Sequence, residues 1–178
     1  MARDLSCCYH ETMRSALFIL AVFTVHGVSA VEPMCAENIG PKKAVEGYVK
    51  AMAEHRFEEA YEHLTPNMTS GMEVGKWAAS QRLVFEAGEV TIFGIDIREP
   101  RGHEDDPDCG NIAVVPNILK SRDKFNNQGI TEFEVYRVKR SEDGLGRWYV
   151  DEQTTFYEEE EINAWFPGEQ IPEFDLSY

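Results

Sequence analysis

Cationic residues, histidine and cysteine are all scarce in this chain. Seventeen Lys and Arg face 32 Asp and Glu, giving a formal charge of −15. A surface of that sign repels nucleic acid and anionic lipid head groups, and the few basic residues are scattered rather than striped. Nucleic acid is therefore excluded as a partner. Only five histidines occur, and no H-x-x-x-H pair is among them. With no H-E-x-x-H helix, Gly-rich phosphate loop or G-x-S-x-G elbow either, no metal or cofactor is implied. The acidic stretch His103-Glu-Asp-Asp-Pro-Asp108 lacks the spacing and distal Glu of a calcium loop and reads as a solvated turn. No apolar run reaches the roughly 20 residues that span a bilayer.

The one long apolar run, Ala16 to Val25, has other properties. Arg14 precedes it and Val28-Ser29-Ala30 closes it with small residues. A charged start, a short apolar stretch and an A-x-A-like end compose a secretory signal. Residues 1–30 are expected to be cleaved, leaving a periplasmic or extracellular domain from Val31 to Tyr178 with no membrane attachment. Met13 is an alternative start, since the segment after it is a complete signal by itself. Arg3, Asp4, Glu11 and Arg14 cancel, so the mature domain keeps its charge. Cys7 and Cys8 leave with the signal. Cys35 and Cys109 remain, and an even pair in an oxidising compartment reads as a disulfide. A reactive thiol is the alternative.

The rest of the chain is long enough for one domain with its own core and too aromatic for disorder. Gly40-Pro41 opens a helix whose Ala44, Val45, Tyr48, Val49 and Met52 recur on one face. Phe57, Ala60, Tyr61 and Leu64 make a short second helix, ended by Thr65-Pro66. Ser70-Gly-Met-Glu73 has the spacing of a capping box for a third, with Val74, Trp77, Ala78 and Phe85 inward and Gly88 as its stop. Strands follow at 89–98, 111–120, 131–140 and 147–155, separated by turn residues. In the first, Thr91, Phe93, Ile95 and Ile97 alternate with Val90, Ile92, Gly94 and Asp96. Pro116 marks the second as an edge or a bulge. Phe133, Val135, Trp148 and Val150 are expected to face the first helix. Thr155-Phe-Tyr-Glu158 matches a second capping box, for a final helix carrying Ile162, Trp165 and Phe166. The core spans about 40–166, and the tail 169–178 has no periodicity.

Helices first and an antiparallel meander after them define an α+β order, with a sheet of four or more strands and an added C-terminal helix. The opening PKKAVEGYVKAMAEHRFEEAYEHLTP and the closing strand GRWYVDEQ resemble the nuclear-transport-factor-two-like (cystatin-like, SnoaL-like) superfamily, in particular its secreted bacterial members, over roughly residues 40–155. The resemblance implies a cone, a curved sheet wrapped around helices. It leaves function open between isomerases, dehydratases, hydrolases, binding modules and assembly domains. Enzymes of this type raise an Asp, His or Tyr inside the cone. Here the resemblance implies Asp96 for that role, with Tyr48 and Tyr61 facing the same cavity. The alternative is that Val90, Ile92 and Gly94 face solvent, which makes Asp96 a surface residue near a strand end and the tyrosines core residues with paired hydroxyls. Two functions follow as expectations. One is a non-catalytic binding or accessory module, taking an apolar small molecule in the cone or a protein on the sheet. The other is a small cofactor-independent isomerase or dehydratase. A second copy, pairing through the sheet, is a further candidate partner.

Overall fold

Apolar residues at alternating spacings of one and three give the first helix a single buried stripe. In the computed structural model that stripe is α1, Gly40–Ala53, with Ala44, Val45, Tyr48, Val49, Ala51 and Met52 buried. The structure describes Cys35, residues 40–143 and residues 145–171. The expected signal segment with its cleavage point, the alternative start at Met13 and the tail beyond Ile171 lie outside the described residues. His55, with φ of 58°, turns the chain out of α1 and into α2, Phe57–Tyr61. Leu64 then docks on the last strand: the Thr65 N–H donates to the Val150 carbonyl at 2.9 Å, and the Val150 N–H donates to His63 at 2.8 Å. Gly47 is what lets this segment approach α1, because a Cβ there would collide with the His63 ring.

α3 runs Val74–Gly88 and buries Trp77, Ala78 and Phe85. Its expected capping box does not form. Ser70 sits in a left-handed turn at φ 52°, and Glu73 is the N-cap without a side-chain bond. Val74 at the exposed first turn is not a core residue. The second box fails likewise. Thr155 is still inside a strand, and the Glu158 N-cap of α4, Glu159–Trp165, makes no capping bond. Residue spacing alone cannot place a cap when the preceding segment has hydrogen-bond partners of its own.

The sheet has five antiparallel strands: β1 Thr91–Ile97, β2 Arg101–Gly102, β3 Ile112–Arg122, β4 Ile130–Arg140 and β5 Trp148–Phe156. Its order is β1-β3-β4-β5, with β2 also on β3. Pro116 is on inner strand β3 rather than at an edge, and is paired with Val135. Its missing N–H falls where β1 has ended and β2 has not begun. There its carbonyl accepts from Arg98 at 2.9 Å, so no ladder bond is lost. A disulfide joins Cys35 to Cys109, their Cα atoms 5.7 Å apart.

Both faces of the sheet are covered. Helices α1–α3 lie on one, where Val115, Leu119, Tyr136, Val138, Trp148 and Val150 join the helical stripe in the larger core. The other face carries a second core of Val114, Ile118, Phe133 and Val135, closed by Ile162 and Phe166 of α4 and its end. Phe133 and Phe166 meet at 5.2 Å between ring centres. Trp148 and Val150 are thus in the core with Val45, Val49 and Met52 as expected. Phe133 and Val135 are not, and they face α4. The start of the tail is docked too: Ile171 packs on the second core, and Glu169 pairs with Arg98.

Candidate functional site

Alternation along β4 decides where its polar residues go. Phe133 and Val135 point to α4, so Glu134 and Tyr136 point to the helices. Glu134 is 2% exposed. Its neighbours across the sheet are set by register: Asn117 on β3 lies directly opposite, and Gln153 on β5 lies opposite Tyr136. Asn117 Nδ2 and the Tyr136 hydroxyl donate to Glu134 Oε2 at 2.8 and 2.7 Å, and Gln153 Nε2 donates to Oε1 at 2.7 Å. Three rigid strands thereby hold one carboxyl by three neutral donors.

This cluster forms the polar side of a cavity of about 210 Å³ between the helices and the sheet. Tyr48, Val49 and Met52 of α1, Phe85 of α3, Ile92 of β1 and Leu119 of β3 supply most of its apolar wall. Ser121 and Glu132 stand beside Glu134, and the Ser121 hydroxyl donates to Glu132 Oε2 at 3.3 Å. Tyr48 meets Tyr136 edge-on at 6.0 Å.

Burial pushes the Glu134 carboxyl above the ordinary range. The bonds from Tyr136 and Asn117 oppose that shift without cancelling it, and the charge of Glu132 adds to it. Burial, and then the charge of Glu134, push the Tyr48 phenol up to about 12. The same two causes push Tyr136 up as well, so both tyrosines stay protonated, and Tyr136 donates to Glu134. The cavity thus holds a carboxyl whose pKa is raised by burial beside two neutral phenols.

The residues singled out from sequence disperse. Tyr48 lines the cavity. Tyr61 does not: its hydroxyl donates to the Met72 carbonyl at 2.8 Å and its ring packs on Trp77, beside a separate open groove. Asp96 lies outside altogether. A β-bulge between Ile92 and Gly94 shifts the phase of β1, so that Ile92, Ile95 and Ile97 share the inner face. Asp96, paired with Ile118, is turned outward, 59% of its side chain is exposed, and it pairs with Arg98 at 2.9 Å.

Glu134 escapes a reading that turns Phe133 inward. The signal was present, because β4 is apolar at both parities: Phe133 and Val135 on one, Tyr136 and Val138 on the other. Such a strand is covered on both faces, and a Glu in its middle is buried either way. The acidic loop behaves as a solvated turn. Asp106 accepts from the N–H groups of Gly110, Asn111 and Ile112, which hold its carboxyl below the usual range. His103, Glu104 and Asp105 lie close enough for their donor atoms to share an ion, with both acids exposed to water.

No family model and no curated protein matches this sequence. Among solved structures the chain is similar to a Bdellovibrio bacteriovorus protein at 9% identity and TM-score 0.45. That match covers 65% of this chain and 39% of the other, so this chain spans well under half of that protein. It is similar to a ketosteroid isomerase-like protein from Erwinia carotovora at 15% identity and TM-score 0.49, over 69% of this chain and 98% of the other. It is also similar to a domain of unknown function with a cystatin-like fold from Nostoc punctiforme, at 10% identity and TM-score 0.47, over 67% and 76%. The helices-then-meander order and the cavity between helices and sheet are evident in this chain's own topology.

Proposed function

We propose that the chain is an exported binding module whose cavity takes up a small, mostly apolar molecule through one polar end. The observation that carries this reading is Glu134, pinned by three neutral donors on the polar side of a cavity whose remaining wall is apolar. Such an arrangement fixes an acceptor in space before any ligand arrives, which lowers the cost of binding. The cavity is smaller than the 300–1,000 Å³ or so typical of drug-sized ligands, which selects a small molecule. Export is supported by the secretory signal in the sequence and fits a disulfide between the two remaining cysteines.

A second reading has one specific observation in its favour. The raised pKa of Glu134 suits a general base in an isomerase or dehydratase, with the Tyr48 hydroxyl as donor to a developing oxyanion. Against it, Glu134 Oε1 and Oε2 are already bonded, and the lining residues include neither a nucleophile of the Cys or Lys type nor a cation to stabilise negative charge.

Native mass spectrometry of protein purified from its own host tests the first reading. The expected result is a small-molecule adduct on the wild type that is lost in Ile92→Trp, a substitution that fills the cavity from the edge strand. Adduct-free wild-type protein that also takes up no member of a panel of small apolar probes would overturn it. Turnover of a bound molecule by the wild type, abolished in a stably folded Glu134→Gln variant, would put the second reading in its place.

A further inference from the structure

We infer that the molecule this cavity accepts is a small organic cation, with an ammonium or trimethylammonium group seated between Glu134 and the tyrosine rings. The inference rests on the cavity being a binding site and adds the charge of what binds.

The lining residues are lopsided in charge. Glu132 and Glu134 face the cavity, and among the described residues no Lys, Arg or His does. The other titratable groups facing Glu134 are Tyr48 from α1 and Tyr136 from β4. The elements α3, β3 and β5 contribute only Phe85, Leu119, Ser121, Asn117 and Gln153. Elsewhere in the molecule a buried acid is matched by cations: Asp151 has Arg137 at 2.9 Å and Lys139 at 2.8 Å. Glu134 is equally buried and has only neutral donors. An anionic ligand would be repelled here. A neutral one would satisfy a hydrogen bond and leave the charge uncompensated. A cation does both.

Hydrogen-bond capacity points the same way. An ionised carboxylate offers about four acceptor positions, and three are filled. Among the described residues Asn117 Oδ1 has no donor although Asn117 is completely buried, on the same face of β3 as Leu119. The cluster therefore lacks donors rather than acceptors. The rings add a second attraction, independent of the carboxyls. Tyr48, Phe85 and Tyr136 line the cavity, and aromatic faces attract ammonium groups most strongly away from water. The charge of −15 draws cations toward the whole molecule. A cation beside Glu134 favours its ionised form and opposes the upward push of burial.

Isothermal titration of the purified protein at pH 7 with methylammonium, tetramethylammonium and choline, each against its neutral carbon isostere, tests this. The expected result is that at least one ammonium binds about tenfold or more tightly than its isostere. In Glu134→Gln the ratio should fall to about one. Glu132→Gln, at a half-buried position, serves as a second variant and should lower the ratio about threefold. In the wild type the ratio should shrink as the pH is lowered and Glu134 becomes protonated. If the isosteres bind as well as the ammoniums, the charge is not read; the cation inference is overturned and the binding module stands. If none of these probes binds and the apolar panel also fails, both fall. A preference that survives in Glu134→Gln would place the cation elsewhere and overturn the assignment.

Discussion

Reducing the Cys35–Cys109 disulfide should lower the melting temperature by about 10–15 °C. The bond ties the segment before α1 to the loop before β3, and it closes a loop across 74 residues that contains α1, α2, α3, β1 and β2. In the chain-entropy model a loop of that length restricts the unfolded state by about 4 kcal/mol at 25 °C. For a domain of this size each kcal/mol moves the midpoint by roughly 2–4 °C or somewhat more, which gives the figure above. The native state has reasons to keep its geometry without the bond. The Cys35 N–H donates to the Pro100 carbonyl at 3.1 Å, and Cys109 is 2% exposed within the main core. Reduction therefore tests the cross-link with little loss of packing, whereas a Cys35→Ser, Cys109→Ala double variant adds a small packing cost. The assay is thermal unfolding followed by circular dichroism, with and without reductant, together with a count of alkylatable thiols in the mature protein. A shift below about 3 °C would refute the entropic argument. Two freely alkylated thiols in unreduced protein would refute the bond itself.

Phe166→Ala should destabilise by about 3–5 kcal/mol, read as a lowered urea midpoint, because Phe166 is 3% exposed and closes the second core against Phe133; a change near zero would mean that α4 does not cover that face. Opposite pH trends are expected from the two buried carboxyls. Burial pushes Asp151 up, but the bonds from Lys139, Thr65 and Arg137 outweigh it, and the folded pKa is lowered. Its stabilisation is therefore present above the unfolded carboxyl value of about 3.9 and is lost as pH falls through the folded value. Glu134 is raised in the folded state, so its contribution is present below the unfolded value of about 4.3 and is lost as pH rises through the folded one. Unfolding midpoints from pH 3 to 8 should show Asp151→Asn losing most against the wild type at neutral pH, and Glu134→Gln gaining most there; trends of the reverse sign would contradict the assignment.

The order of elements was legible in the amino-acid sequence because it depends on local pattern. The spacing of Ala44, Val45, Tyr48, Val49 and Met52 can be satisfied only by a one-faced helix, and the β-branched runs after Gly88 only by strands. Those patterns also put Trp148 and Val150 inside. The pairing of Cys35 with Cys109 followed from assigning the two other cysteines to the expected signal. What the pattern could not decide was which side of the sheet each residue takes. A period of two sorts residues into two sets without saying which set meets the helices, and a single extra residue exchanges them. The bulge at Phe93 does this to β1 and turns Asp96 out to solvent. On β4 both sets are apolar, and the choice was made by α4, more than twenty residues further on, which claims Phe133 and Val135 for a second core. Only that tertiary choice turns Glu134 into the cavity. Its burial comes from two layers closing over one strand from opposite sides, so a chain read residue by residue shows the carboxyl and not the enclosure around it.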